Sequence, residues 1–316
     1  MNAGLTPRRV DIGVCTFKRT ELAETIASLG RLQLPEDVAV RIIVADNDEW
    51  PSAKPRVDAL AAACPHEIVY VHAPMRNISL ARNACLDHAT GDFLAFIDDD
   101  EVASTQWLAE LLAVAEASGA EAVLGPVRAD YRPGAPEWMK RGDFHSTFPV
   151  WVKGEIVTGY TCNVLVRLDA PSVAGRRFDL ALGRSGGEDT AYFTRLTKSG
   201  GRIAYAPEAW TSETVPDPRA TLFWLGKRKF RMGQTHGRLV AEQARGMARI
   251  RQICLAASKA GYCMAAAAGL AAAPRMRNRY ALRGLLHAGA VSGLLGVREI
   301  RQYGGIDPSE GERHPA

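Results

Sequence analysis

Three aspartates and a glutamate, Asp98-Asp99-Asp100-Glu101, directly follow the apolar run Phe93–Ile97. An apolar run of this length is typical of a buried β-strand, so we expect the acids at the mouth of that strand. Carboxylates crowded there repel one another, and a divalent cation would relieve the repulsion. Because the potential metal ligands are all carboxylate oxygens, the sequence predicts Mg²⁺ or Mn²⁺. These ions commonly also bind oxygens of a diphosphate. An ordinary solvated acidic loop is the less favoured alternative.

Polar residues at three further places could take part in the same chemistry. Residues 16–19 and 46–48 follow the first two apolar runs, and a glycine-rich turn at 183–189 ends in Glu188 and Asp189. The turn has neither P-loop nor GxGxxG spacing, so it does not by itself predict a phosphate site. Two acids in the first turn of a helix also interact favourably with the helix dipole, which is the alternative to a chemical role.

The elements that must position these residues alternate between short apolar runs and helical patterns. This βαβα order predicts an α/β fold with a largely parallel sheet covered by helices. In such sheets, ligands bind beyond the carboxyl ends of the strands, where the polar residues stand. The predicted strands are 11–17, 41–45, 67–72, 93–97 and 122–127, and the predicted helices are 20–32, one from a Ser79 cap to residue 88, and one after a Ser104 cap.

Five short motifs, taken in order along the chain, resemble the family 2 glycosyltransferases of the GT-A fold. Within that family the chain most resembles the bacterial exopolysaccharide branch, similar to succinoglycan-type glucosyltransferases, over roughly residues 8–235. The resemblance implies a Rossmann-like, mostly parallel sheet flanked by helices, followed by a basic helical appendage. The motifs are Val14-Cys-Thr-Phe-Lys-Arg19, Val44-Ala-Asp-Asn47, Asn77-Ile-Ser-Leu-Ala-Arg-Asn83, Gly91-Asp-Phe-Leu-Ala-Phe-Ile-Asp-Asp-Asp100 and Gly187-Glu-Asp189.

The resemblance also implies which residues contact the nucleotide. Thr16 and Arg19 would line the nucleotide pocket, and Asp46 would pair with the base or the ribose. Arg82, on the helix after Ser79, would reach the nucleotide as well, although a surface helix arginine is the alternative.

The acidic run matches the DxD motif of the family. By this resemblance Asp98 lies toward the ribose and the metal, and Asp100 is a metal ligand. Because the run contains three aspartates, the alignment is ambiguous by one residue, and Asp99 is a second candidate for the nucleotide contact.

Asp189 is the general base that the resemblance implies. An inverting transfer needs a carboxylate that takes the proton of the acceptor hydroxyl while the oxygen attacks the anomeric carbon. Glu188 would hold the acceptor or orient Asp189, and residues 158–163 resemble the acceptor-side strand of the family. Residues 227–234 stand where processive members carry QxxRW, and the absence of that motif favours transfer of a single sugar.

The predicted activity is therefore metal-dependent transfer of one sugar, with a UDP-sugar as the expected donor. The acceptor would be a glycan or a lipid-linked glycan in cell-surface or exopolysaccharide synthesis. The alternative is a non-catalytic nucleotide-sugar-binding module of the same fold in a membrane-bound polysaccharide assembly complex. A nucleotidyltransferase and a dehydrogenase are disfavoured, because no glycine-rich nucleotide loop opens the chain.

The expected domain organisation has three parts. Residues 1–235 form the catalytic domain, with a nucleotide-binding half at about 1–127 and an acceptor half at about 128–235. Residues 236–300 form an alanine-rich basic helical region, and residues 301–316 form a flexible tail.

The net charge of +4 at pH 7 conceals an uneven distribution of charged residues. Residues 1–218 hold 22 Lys and Arg against 30 Asp and Glu, whereas residues 219–300 hold 15 against two. Such a basic segment favours an anionic surface, and we expect phospholipid rather than nucleic acid. Six scattered cysteines without a CxxC pair and the lack of a signal-peptide core favour a cytoplasmic enzyme, peripheral at the inner face of the plasma membrane.

Two apolar stretches in the basic segment, 253–273 and 281–297, suggest a transmembrane hairpin at first. The uncharged part after Lys259 is shorter than the roughly 20 residues of a membrane span. The basic connection 274–279 would also have to cross the membrane, against the positive-inside tendency. An interfacial helical pair is therefore the favoured interpretation, and an ordinary helical pair packed on the catalytic domain is the other alternative.

Overall fold

The computed structural model describes residues 7–298 and residue 300. Its strands are β1 (Arg8–Thr16), β2 (Val38–Asp46), β3 (Glu67–His72), β4 (Phe93–Asp98), β5 (Glu101–Ala103), β6 (Ala122–Leu124), β7 (Val127–Tyr131), β8 (Trp151–Val152), β9 (Glu155–Ile156), β10 (Asn163–Arg167), β11 (Ile203–Tyr205) and β12 (Thr211–Val215). Its helices are α1 (Leu22–Leu29), α2 (Lys54–Ala61), α3 (Ile78–His88), α4 (Trp107–Ser118), α5 (Glu137–Gly142), α6 (Glu188–Lys198), α7 (Leu222–Ala241), α8 (Met247–Gly269) and α9 (Pro274–Leu294).

These elements form two compact units. The first unit contains residues 7–130, 145–183 and 188–214, and the second contains residues 131–144, 184–187, 215–298 and 300. The predicted boundary near residue 235 stays a prediction, and the predicted flexible tail, 301–316, lies outside the described residues.

A seven-stranded sheet in the order β11-β6-β10-β4-β1-β2-β3 forms the centre of the first unit. β1 pairs in parallel with β2 and with β4, β2 with β3, and β6 with β11. Only β10 is antiparallel to its neighbours, since it is inserted between β4 and β6. The predicted α/β architecture with a mostly parallel sheet is confirmed.

Both faces of this sheet are covered, which explains why its strands are continuous apolar runs rather than alternating ones. On one face, Val10 and Ile12 of β1 pack in the core that includes Leu22 of α1 and Trp107 of α4. On the other face, Phe96 of β4 belongs to the core that includes residues of α3 and α6. The polar ends of the strands are consequently the places where this unit can present chemistry.

The structure corrects both predicted helix caps. The cap of α3 is Asn77, whose side chain accepts a hydrogen bond from the Leu80 N–H at 3.3 Å, and not Ser79. Before α4, Ser104 accepts from the Trp107 N–H through its backbone carbonyl at 3.0 Å and not through its hydroxyl. Both predictions were wrong. They relied on the general preference for serine at the start of a helix, whereas the path of the backbone decides which residue faces the free N–H groups.

The apolar run 122–127 forms parts of two strands instead of one. β6 ends at Leu124, and β7 begins at Val127 after the turn at Gly125-Pro126. At Gly125 a β-carbon would overlap the backbone carbonyl of Ala209, so this close approach of two chain segments requires glycine. The proline, which lacks an N–H, ends the ladder at the same place.

In the second unit, α9 packs against both α7 and α8. Glycines bring the backbones of α7 and α9 into contact, since a β-carbon at Gly233 or Gly237 of α7 would overlap the backbone of α9. The same holds for Gly289 and Gly293 of α9 against the backbone of α7. Small residues spaced by four allow such close helix packing.

The two apolar stretches of the sequence lie within α8 and α9. The basic segment 274–279, expected as a connection, is instead the beginning of α9, with Pro274 in the first turn, where its missing N–H does no harm. Among the described residues, no helix is both long enough and apolar enough to span a membrane.

A pair of Gly→Ala substitutions tests the helix packing. Gly289→Ala should lower the free energy of unfolding by about 1–3 kcal/mol, because the added carbon overlaps the Phe230 backbone. Gly261→Ala on α8, where a β-carbon meets no atom within 4 Å, should raise stability by up to about 1 kcal/mol. Urea unfolding midpoints measure both effects, and equal shifts in the two variants would contradict the close packing.

Candidate active site

The carboxyl ends of three neighbouring strands bring the predicted residues to one edge of the sheet. Thr16 ends β1, Asp46 ends β2 and Asp98 ends β4. In the strand register Thr16 lies beside Asp46, and Cys15 lies beside Asp98. All three strand ends belong to the first unit.

Thr16 and Asp99 form a buried hydrogen bond. The Thr16 hydroxyl donates to Oδ2 of Asp99 at 2.7 Å, and both side chains are buried. Loss of solvation raises the pKa of Asp99 to about 7, and the Asp100 charge adds to this effect, while the bond from Thr16 and the Arg19 charge oppose it. The middle aspartate of the run therefore points into the protein and is held by β1.

Arg19 and Asp100 form an ion pair on the accessible side of the acidic run. Nη2 of Arg19 lies 3.4 Å from Oδ2 of Asp100. Burial acts to lower the pKa of Arg19, but the Asp100 and Asp99 charges outweigh it, and the pKa is raised. Both charges are partly exposed, so an anionic ligand could meet Arg19 and a cation could meet Asp100.

Asp98 lies in a second group of potential ligands. One ligand atom each of Asp98, Glu101 and Cys162 lies within 4.8 Å of the other two. Loss of solvation raises the pKa of Asp98 to about 7, with the Arg82 charge opposing and the Asp100 charge adding to the shift. The same cause raises the pKa of Glu101 and of Cys162 well above their ordinary values.

Hydrogen bonds hold this group in place. Glu101 is almost fully buried and accepts a hydrogen bond from the Thr211 hydroxyl at 2.7 Å. Asn163, next to Cys162, accepts from Trp107 Nε1 at 2.8 Å and donates to two backbone carbonyls. No pattern in the sequence indicates these roles of Thr211 and Asn163, because the partners come together only in the fold.

Only part of this group of potential ligands suits a hard divalent cation. Crowded carboxylates with raised pKa values are stabilised by a nearby positive charge, and carboxylate oxygens suit Mg²⁺ or Mn²⁺. Asp98 satisfies this requirement, whereas the thiol of Cys162 is a soft donor and Glu101 is engaged by Thr211. Asp100, the other predicted ligand, is paired with Arg19 instead of belonging to the group around Asp98.

Arg82 forms a buried ion pair that sequence spacing could not indicate. Its Nη1 contacts Oε1 of Glu188, and both side chains are less than 10% exposed. Oε2 of Glu188 is buried and has no hydrogen-bond partner within the described part of the chain. The Arg82 guanidinium also lies 5.7 Å from the centroid of the Phe178 ring. The pair therefore joins α3 to the first turn of α6.

Asp189 lies beside this pair. Its Oδ1 accepts hydrogen bonds from the N–H and the hydroxyl of Thr190, at 2.6 and 3.3 Å. Loss of solvation is the main reason that the pKa of Asp189 is raised, and the Glu188 charge adds to it, while Arg82 opposes it. A carboxylate whose pKa is moved toward neutrality is a competent proton acceptor near pH 7.

Asp46 is completely buried, and partners within the protein engage its carboxylate. Oδ1 accepts from the Asp48 N–H at 3.1 Å, and Oδ2 accepts from the Ala53 N–H and the Tyr70 hydroxyl, both at 2.8 Å. These bonds hold the loop after β2. The contact of Asp46 with a base or ribose stays a prediction.

Comparisons with known proteins show what the chain resembles in sequence. Residues 11–172 match the family described as Glycosyl transferase family 2. The chain is also 59% identical over 295 residues to the succinoglycan biosynthesis protein ExoM of Rhizobium meliloti (strain 1021), a match that covers 93% of this chain and 96% of that relative.

Two solved structures share the fold. The mannosyltransferase PcManGT from Pyrobaculum calidifontis, in complex with GDP-Man and Mn²⁺, matches with a TM-score of 0.63 at 18% identity, covering 92% of this chain and 88% of that one. S. aureus TarS 1-349, in complex with UDP-GlcNAc, matches with a TM-score of 0.52 at 13% identity and covers 92% of each chain. This likeness confirms the predicted GT-A type architecture.

Proposed function

The chain belongs to glycosyl transferase family 2, and we propose that it transfers a single sugar from a nucleotide-diphosphate sugar to a hydroxyl group, with inversion at the anomeric carbon. One observation carries this proposal. The acidic end of β4 and Asp189 of α6 both lie near the buried charge of Arg82, which influences the ionisation of Asp98 and of Asp189. A cation site and a proton acceptor in one unit are what such a transfer needs.

A UDP-sugar is the proposed donor, and a glycan or lipid-linked glycan of a succinoglycan-type exopolysaccharide is the proposed acceptor. The support for the acceptor is the 59% identity to a succinoglycan biosynthesis protein. The fold shared with proteins whose structures contain GDP-Man and UDP-GlcNAc supports a nucleotide-sugar donor.

In the proposed mechanism, Asp189 accepts the proton of the acceptor hydroxyl as the oxygen attacks the anomeric carbon. The bond between that carbon and the diphosphate oxygen breaks at the same time, and inversion follows from attack opposite the leaving group. Glu188 and Arg82 set the electrostatic environment of Asp189, one disfavouring and the other favouring its ionised form.

Asp98 and Asp100 are the proposed ligands of Mg²⁺ or Mn²⁺. Bound there, the cation would stabilise the negative charge of the departing diphosphate. Thr16, Arg19 and Asp46, with Asp99, are proposed to shape the nucleotide pocket. The hydrogen bond from Thr16 directs Asp99 inward and leaves the neighbouring Asp100 accessible, which supports Asp100 as a metal ligand.

The enzyme is further proposed to be a cytoplasmic protein that adsorbs to the inner leaflet of the plasma membrane. α8 supports this, since it packs on α9 through one stripe, which includes Ala256, Cys263 and Ala267, and exposes its other faces. The open side carries Met247, which is 77% exposed, and Tyr262, which is 68% exposed. α8 contains three basic residues and no acidic one. An exposed apolar face with basic residues is typical of interfacial helices.

The first prediction from this proposal is that turnover requires Mg²⁺ or Mn²⁺ and that Asp100→Ala abolishes turnover without unfolding the protein. Mn²⁺ titration followed by electron paramagnetic resonance, without donor, should show tight binding in the native protein and at least about tenfold weaker binding in the variant, a loss of about 1.4 kcal/mol. Asp58→Ala, which breaks an exposed ion pair with Lys54, is the control and should bind Mn²⁺ normally. Full activity in excess EDTA would refute the metal requirement.

The second prediction concerns Asp189 and Glu188. Asp189→Asn should lower kcat at least about a hundredfold, the usual contribution of general-base catalysis, with little change in donor affinity. Glu188→Gln removes the charge that disfavours ionised Asp189 and leaves the favourable Arg82 charge, so the pKa of Asp189 should fall. The acidic limb of the kcat/KM profile, which falls as Asp189 takes up a proton, should then move to lower pH.

Glu137→Gln is the control for the pH profile, because Glu137 forms an exposed ion pair with Arg141 in the second unit. Its acidic limb should not move. If Asp189→Asn keeps the native kcat but binds donor poorly, Asp189 has a binding role. If the native protein binds UDP-sugars but transfers none to any glycan acceptor, it is the non-catalytic module instead.

The third prediction is salt-sensitive binding to anionic vesicles. Each Lys or Arg near an anionic surface contributes roughly 1 kcal/mol, so several suffice for reversible binding, and salt should weaken it. Co-sedimentation should show retention on phosphatidylglycerol vesicles at low salt, and loss in high salt, on neutral vesicles and after deletion of residues 240–316.

In the full chain, the double substitution Ile250→Ser with Tyr262→Ser on α8 should weaken vesicle binding. Trp50→Ser, which removes a similarly exposed aromatic side chain from the first unit, should not. Recovery in the supernatant under every condition would exclude membrane association, and retention through alkaline carbonate would indicate insertion across the bilayer.

A further inference from the structure

An apolar groove of about 740 Å³ opens on the second unit between α7 and α9. α7 contributes Leu222, Phe223, Lys227 and Phe230 to its lining, and α9 contributes Leu285. Pockets of this volume are typical of sites for small organic ligands. The groove lies in a part of the chain to which the sugar-transfer mechanism assigns no role.

The rim of the groove exposes large apolar side chains to water. Phe223, in the first turn of α7, is 83% exposed, and Leu222 beside it is 41% exposed. At the floor, Gly226 carries no side chain, and a β-carbon there would approach Leu285 Cδ1 at 3.0 Å. The glycine therefore keeps open a slot that any other residue would begin to fill. An exposed apolar slot of this kind is characteristic of a binding surface.

The charges around the groove favour an anionic ligand. Lys227 is the only charged residue of the lining, and α7 has no acidic residue. Residues 215–298 hold 15 Lys and Arg against two acidic residues. Within α7, loss of solvation lowers the pKa of Lys229 to about 8, and the positive charge of the adjacent Arg228 adds to this effect.

We propose that this groove binds one hydrocarbon chain of an anionic phospholipid, with Lys227 facing its phosphate. A hydrocarbon chain matches the apolar slot, and the phosphate matches the cationic rim. Residues 301–316 follow groove residue Ile300 in the chain but are a poor chemical match, because Tyr303 and Ile306 are their only large apolar residues beside three acidic ones. The site goes beyond the proposed adsorption of α8, since it recognises a single lipid molecule and needs no bilayer.

The test is calorimetric titration of the full chain with dioctanoyl phosphatidylglycerol below its micellar concentration. We expect binding of one lipid per chain. Dioctanoyl phosphatidylcholine, which has the same chains and no net charge, and glycerol phosphate, which has the anionic head without chains, should each bind at least about tenfold more weakly, a difference of about 1.4 kcal/mol.

Three single substitutions locate the site. Leu285→Trp fills the slot, Phe223→Ser removes its rim and Lys227→Gln removes its charge, and each should weaken binding at least about tenfold. Trp50→Ser, which removes an exposed aromatic side chain from the first unit, is the control and should bind as the native protein does. Phe223 and Lys227 are exposed, so their variants keep the test valid if Leu285→Trp does not fold.

Three results would overturn the proposal. Equal affinity for glycerol phosphate would mean that the unit recognises the phosphate alone. Unchanged affinity in the Phe223 and Lys227 variants would mean that the lipid binds elsewhere. At least tenfold tighter binding after deletion of residues 301–316 would mean that the chain's own tail occupies the groove. None of these measurements uses sugar transfer or vesicles. The lipid site can therefore be refuted or supported independently of the proposed function.

Discussion

The repulsion among carboxylates at one poorly solvated edge of the sheet is the constraint on which the rest of the site depends. Asp98, Asp99 and Glu101 have raised pKa values there, chiefly because the protein withholds water from them. Charges at such short range interact far more strongly in a protein than in water. Arg19 and Arg82 offset part of this repulsion, and the remaining negative charge is what a divalent cation would balance.

The surrounding fold holds the acids apart by giving each a separate partner. Thr16 binds Asp99, Arg19 binds Asp100 and Thr211 binds Glu101. These partners come from β1, the loop after it and β12, so the arrangement requires the complete first unit. A residue that loses its partner would be left as a buried charge or as an uncompensated acid, which is much less stable than a paired one. Stability and function are consequently coupled in these contacts.

Small residues allow close packing at two helix contacts in the second unit. Gly289 and Gly293 let α9 approach α7 closely, and two alanines of α8, Ala256 and Ala267, belong to the stripe that packs on α9. Such a composition resembles that of membrane helices because both depend on backbones packed at short range. Several large apolar side chains of these helices, in contrast, are exposed, among them Phe223 of α7 and Met247 of α8. The exposed apolar side chains on its surface, and not the small residues of its helices, therefore distinguish this unit.

The sequence by itself determined the α/β architecture, since continuous apolar runs separated by helical patterns permit few other arrangements. It also determined that Thr16, Asp46 and Asp98 share one edge, because parallel strands end together. Only the tertiary structure decided the partners of these residues. Arg82 and Glu188 are 106 residues apart, and a contact between distant residues leaves no periodic pattern in a single sequence. The actual caps and the contacts between the glycine-bearing helices were decided there too, because the backbone path sets which groups meet.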